Sequence, residues 1–486
     1  MRRLACIALL VGAFGTAHGE TRPRYGRKIV GSLLGQPASL DPVRVKSHAE
    51  AQVAMLLYDT LYRVGEEGEL IPHLAVEMPV VSSDGREARV RVQKGAFFQD
   101  GSPLGAGDVE LSLDRLSRSD AAWLMAPVAS VSHDKDVLVL TLRRATPELA
   151  DILAAPQASI TPGGRPPGKK PNGSGPYAPA KGPQKKPGLL LVPWERHFAG
   201  RPYADKLDLR WFEGRTAEAR AYEVGELLLS LRGPVAFTGH EPKYPTEATA
   251  GPAVVLAYVG FGRGHGRAFD NRDLRRALSL AIGRDSLRSI GTGERVEPSP
   301  FPIAQDLAGP EPSSADLQVR LAEARAALAR ATPKVKALAA RTTWELLVDR
   351  TRPDDREIGE KVIAALYRLG LTGKITELDA AAVDARLLRG DFDLVIGQLA
   401  PAGPSPALQI AGAFAAGGDG WAAAQMASAP LAIDGALAAF AERLPILPLF
   451  HRSIRVHHRV DVRRVAFDAT GRLLYPDMFL FGGYTK

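Results

Sequence analysis

The feature that most constrains this chain is a strand-then-helix alternation that returns at irregular intervals. The apolar stretch 28–34 ends in Gly35-Gln36-Pro37, and Val53, Leu56, Leu57 and Leu61 then recur with helical spacing over residues 48–62. A strand over 254–259 precedes a glycine-rich turn and a helix over 274–282, with Asn271 as its N-cap. A strand over 344–348 precedes a helix over 357–369, and 395–396 and 446–450 read as further buried strands. A helical pattern over 316–341 is interrupted by Thr332-Pro333. Alternation of this kind builds sheets covered by helices, and the lack of a fixed period excludes solenoids and propellers.

Between these units, residues 89–93 alternate with Val90 and Val92 on one face, and a helix over 107–116 precedes a strand over 137–142. Residues 64–168 therefore read as a small α/β unit. The Gly-, Pro- and Lys-dense stretch 161–187 marks a handover between units. A length of 486 residues fits about three such units. With 45% hydrophobic and 24% charged residues, the composition is that of an ordinary globular protein.

The first residues have the form of a secretory signal: Arg2 and Arg3, an apolar run from Leu4 to Phe14, then small residues Ala17 and Gly19. Export and cleavage near Glu20 are expected, because the run is shorter than the ~18 residues a membrane span needs. Cys6, the single cysteine, lies near the start of the apolar run instead of closing it, which argues against a lipid anchor. The mature fold then rests on packing without disulfides. Formal net charge is +8, or +6 once Arg2 and Arg3 are removed, and basic residues alternate with acidic ones as in Arg272-Asp273. That pattern describes a solvated surface and gives no nucleic-acid groove.

Motifs of chemistry are missing in informative ways. Gly260, Gly262, Gly264 and Gly266 lie between a strand and a helix but fit neither phosphate-loop spacing, so they read as a flexible turn. His457 and His458 are neighbours on a strand and point to opposite faces, which rules out joint chelation of a metal. Ser174, within Asn172-Gly173-Ser174-Gly175, does not sit in a nucleophile elbow. Asp354-Asp355 read as helix-start residues. No catalytic residue, metal site or cofactor is expected.

Several segments, in order, resemble the bacterial extracellular solute-binding proteins of family five, the oligopeptide- and dipeptide-binding type. They are Ser39-Leu40-Asp41-Pro42, Leu57-Tyr58-Asp59-Thr60-Leu61-Tyr62, Leu70-Ile71-Pro72-His73-Leu74-Ala75 and the long run 92–109 containing Phe98-Gln99-Asp100-Gly101-Ser102-Pro103-Leu104. Asn172-Gly173-Ser174-Gly175-Pro176-Tyr177, the segment 269–282, Gly390-Asp391-Phe392-Asp393-Leu394 and Leu447-Pro448-Leu449-Phe450 complete the set. Most of these residues are turn and core types, so they specify fold more than ligand.

The resemblance implies an α/β, two-lobed periplasmic-binding-protein type II fold with an additional subdomain, built of mixed sheets flanked by helices. Residues 1–19 would be the signal; 20–63, 169–260 and 455–486 one lobe; 64–168 the subdomain packed on it; and 261–454 the second lobe. It implies a monomeric periplasmic protein that binds a small organic solute, a peptide being one candidate, and delivers it to an ABC permease in the inner membrane, with no cofactor, no metal and no catalysis. Expected cleft residues are Gly35, Gln36 and Leu40 after the first strand, and Gln398, Leu399 and Ala402 further on. Leu399 and Ala402 fall where the family places an aromatic residue and the acid that meets a peptide's ammonium. The solute therefore differs, lacking a free amine, or the chain serves instead as an envelope interaction or sensing protein without transport.

Overall fold

A computed structural model describes residues 23–182, 186–232, 242–287, 290, 314–428 and 433–481. The signal-like residues 1–19 lie outside them. A curled ten-stranded sheet forms the spine. In one half, Lys28–Ser32 runs parallel to Lys206–Arg210 and to Leu229–Ser230, with Gly188–Pro193 and Tyr177–Pro179 closing the edge. In the other, Thr343–Asp349 lies parallel to both Thr372–Leu378 and Leu394–Leu399.

Two long antiparallel strands, Thr246–Phe261 and Leu447–Arg459, join the halves. One end of this pair is flanked by Leu229–Ser230 and the other by Leu394–Leu399. Between those ends the register shifts from Ala250 to Ala253 and again from Ala253 to Val255. Gly251-Pro252 causes the shift, because proline cannot donate to the ladder and an extra residue must bulge out. The pair thus bends where it passes from one lobe to the other.

The described residues form three large hydrophobic cores, beside two small clusters around Tyr222 and Phe392. Ile29, Leu57, Leu207 and Tyr475 fill the first lobe, and Phe269, Leu278, Trp344 and Val362 the second. The third joins the four-stranded sheet containing Glu87–Arg91 and Val137–Leu142 to the helix Ala106–Leu116. It continues without a break into Leu408, Phe414 and Phe440 of the helices Pro406–Ala416 and Ile433–Arg443. Among the described residues, no helix is long and apolar enough to cross a membrane.

Local sequence explains the most constrained junction. The helix expected over 48–62 is His48–Leu57, opened by a capping box of Ser47 and Glu50. It stops because the Leu57 carbonyl accepts the Gly175 N–H at 3.0 Å and the Gln99 amide at 3.1 Å. Those bonds take a carbonyl that a further helical turn would need. Gln99 also donates to the carbonyls of Gly175 and Tyr177, while Asn172 and Asp100 bond each other. Three of the family-like segments are therefore one hydrogen-bonded knot, and a Cβ on Gly173 would come within 2.0 Å of the Leu57 oxygen.

Candidate ligand-binding site

A cavity of about 650 Å³ opens between the lobes and the subdomain. The long strand supplies its floor with every second residue: Val254, Leu256, Tyr258 and Gly260 all face it, as strand geometry requires. The Tyr258 ring lies over Gly397, where any Cβ would fall 2.2 Å from the ring, so glycine there keeps the floor flat. Val43–Lys46 and Trp123 wall one side, and Leu399–Ala402 with Gly412 on the helix Pro406–Ala416 wall the other.

The glycine turn is packed tightly and is not the flexible segment the sequence suggested. Gly262 and Gly264 N–H groups donate to the Asp393 and Phe392 carbonyls at 2.9 and 2.7 Å, and a Cβ on Gly262 would lie 2.0 Å from the Phe392 oxygen. His265, at positive φ, is held by the Asp393 carboxylate at 2.7 Å. This close approach presents Arg263 and Arg267 to the cavity.

Cations dominate the lining: Arg44, Lys46, Arg263, Arg267, Arg275 and Arg389, against two carboxylates, Asp120 and Asp270. Some of that charge is balanced, with Arg44 and Lys46 sharing Asp384, and Arg267 pairing with Asp270 at 2.8 Å. Arg275 is different. Its guanidinium lies 5.5 Å from the Phe261 ring centre, its Nε is buried without a hydrogen-bond partner among the described residues, and burial lowers its pKa below the usual arginine range. A buried donor without a partner costs about 1–3 kcal/mol, a cost an anionic ligand group would relieve.

Of the expected cleft residues, Leu399 and Ala402 line this cavity. Gly35, Gln36, Leu40 and Gln398 lie outside its lining. Gly35, at φ +110°, packs on Arg352, and the Gln36 N–H donates to Thr351 Oγ1 at 2.9 Å, so both touch the second lobe directly. Leu40 packs on the first core, and its carbonyl accepts the Tyr58 hydroxyl at 3.0 Å. Gln398 is buried and reaches Asp355 at 3.4 Å. Around them, Arg352 pairs with Asp349 and Asp355 at 3.1 and 3.2 Å, and Arg452 with Asp354 at 2.8 Å. Burial pushes the Asp355 carboxyl up to about 7, with Arg352 opposing the shift and Asp349 adding to it. Asp354 and Asp355 do start the helix Pro353–Arg368, yet they also face a lobe contact, which their neighbourhood in sequence could not reveal.

Comparison with known proteins fixes the class. The chain belongs to the bacterial extracellular solute-binding proteins, family 5, whose model matches residues 69–421. Among curated relatives, a glutathione-binding protein of Pectobacterium atrosepticum is 27% identical over 329 residues, covering 64% of this chain and 61% of that protein. The chain thus spans less than two thirds of this relative's length. Among solved structures, the Escherichia coli murein tripeptide binding protein aligns with a TM-score of 0.80 at 19% identity, over 95% of this chain and all of the other. The Bacillus subtilis oligopeptide-binding protein in complex with a nonapeptide aligns at 0.76 and 17%, over 95% and 100%. These likenesses bear out the two-lobed binding-protein fold that the motifs implied.

Proposed function

We propose that this protein is the periplasmic solute-binding subunit of an ABC importer and that its solute is a small organic anion, a peptide blocked or buried at its amino end being the leading case. The observation that carries this reading is the cavity between the lobes, cationic in lining and holding the buried, partnerless Nε of Arg275. In this reading Ala402 offers no carboxylate to an ammonium, and the nearby positive charge would repel one. Closure of the lobes about the bent strand pair would exclude water and strengthen each charge-assisted bond. The chain performs no chemistry on the solute, which it passes to a membrane permease.

The reading draws support from a relative named for glutathione and neighbours named for peptides. Trp123 in the cavity wall provides an optical reporter. Saturable quenching or enhancement of tryptophan emission by carboxylate-bearing peptides is expected, with Arg275→Gln weakening it about ten- to a hundredfold, the worth of one charge-assisted bond. Equal affinity in the variant would remove Arg275 from the site, and silence against a broad panel of such solutes would remove the function.

A further inference from the structure

Apart from the cavity, Asp59, His73 and His197 bring one ligand atom each to within 4.8 Å of one another. Asp59 follows the helix His48–Leu57, His73 follows the short strand Leu70–Pro72, and His197 lies in the loop before Lys206–Arg210. All three are buried side chains, and none lines the cavity. His73 Nε2 lies 2.7 Å and His197 Nε2 3.3 Å from Asp59 Oδ1. Phe198 covers the group, its ring 4.7 Å from that of His73 and 4.9 Å from that of His197.

Arg63 already offers one positive charge to Asp59, yet the hydrogen bonding still leaves a nitrogen and an oxygen of this cluster without a proton between them. His197 Nδ1 faces the Gly200 carbonyl at 3.1 Å, and a carbonyl can only accept, so Nδ1 carries the proton. In the neutral ring Nε2 is then a lone pair aimed at a carboxylate oxygen, acceptor against acceptor. The other oxygen, Asp59 Oδ2, is fully buried and accepts nothing from the described residues. A histidine fixed through Nδ1–H to a backbone carbonyl, with its free nitrogen beside a carboxylate, is the arrangement by which proteins orient metal ligands. Donors bound at ~2.0–2.1 Å in a tetrahedral shell lie roughly 3.4 Å apart, the spacing His197 Nε2 already has from Asp59 Oδ1 at 3.3 Å, while His73 Nε2 at 2.7 Å would draw back on binding.

We infer that Asp59, His73 and His197 form a binding site for a divalent transition metal of the zinc type, the imidazole and carboxylate set favouring such ions over calcium or magnesium. The ion would tie the end of a helix, a hairpin and a distant loop together in a chain whose one cysteine is Cys6. Arg63 Nη2, 3.3 Å from Asp59 Oδ1, competes for the same carboxylate and sets a limit on affinity.

The test uses the full chain stripped with a chelator. Zinc titrated by calorimetry should bind at one equivalent and raise the melting temperature, and cobalt should give the visible absorption of a tetrahedral site. His197→Gln should lose both, at least tenfold in affinity, whereas Arg63→Gln should bind zinc at least fivefold more tightly. The second variant decides the matter if the first fails to fold. No zinc uptake by the wild type, or uptake unchanged in a folded His197→Gln or Arg63→Gln, overturns the assignment.

Discussion

The lobes meet in two ways that contrast sharply. At Gly35–Gln36 and Thr351–Arg352 the contact is closed: backbone meets side chain, and Arg352 lies between Asp349 and Asp355 and pairs with both. At the cavity the same lobes leave about 650 Å³ open and line it with cations that the chain only partly balances. The difference teaches that fixed charge can either be paired where the lobes touch, which holds them together, or left facing open space, which creates demand for a guest. Loss of a self-satisfied contact should register first in stability, and loss of the open one in binding.

The sharpest break of this contrast is Gly412→Trp. Position 412 is helical and its Cβ would have ordinary contacts with Leu399 at 3.6 Å and Trp123 at 3.9 Å, so a side chain is accommodated and the helix gains propensity. An indole there projects into the cavity, and calorimetry should find solute affinity reduced at least a hundredfold with melting unchanged or raised. Loss of folding along with binding would mean that the cavity wall is structural and not a container.

Next is Gly35→Ala at the closed contact. With φ at +110° and a Cβ 2.6 Å from Arg352 Cγ, alanine is strained and must displace the arginine. A destabilisation of about 1–3 kcal/mol in denaturant melts is expected, with a several-fold affinity loss as closure weakens. A variant with unchanged stability but abolished binding would reverse the roles assigned to the two contacts.

The smallest effect concerns pH. Asp355 has a folded pKa of about 7, above its unfolded value of 3.8, so the folded state holds the extra proton between them. Stability from this group is therefore full below pH ~4 and declines as pH rises through 7. Asp355→Asn should reduce the fall in melting temperature between pH 5 and pH 8 by about 2–4 °C. An identical pH slope in wild type and variant would show that the Asp355 carboxylate is fully stabilised by Arg352.

Much of the scaffold was legible in the residues, and the reasons are specific. The strand Val137–Leu142 and the Asn271-capped helix Arg272–Ala281 have a polar face and a buried face, which is what periodicity detects. Pro406–Ala416 escaped notice because Leu408, Ile410, Ala411, Gly412, Ala413 and Phe414 are buried together and leave no period to read. Leu399 and Ala402 came from the family pattern, but Arg263, Arg267 and Arg275 were hidden among charges that resemble a solvated face. What gathers them is the tight turn beneath Phe392, a contact more than a hundred residues away in sequence. His73 and His197 are likewise separated by 14 and 138 residues from Asp59, whose carboxylate they share, and no spacing rule joins all three.

The most direct test of the account compares two blocked forms of one short peptide by calorimetry, N-acetylated with a free carboxylate and C-amidated with a free amine. A cationic cavity without an acid at Ala402 predicts that acetylation leaves affinity within about threefold while amidation lowers it tenfold or more. Tighter binding of the amidated form than of the acetylated one would contradict the claim that the site selects for negative charge.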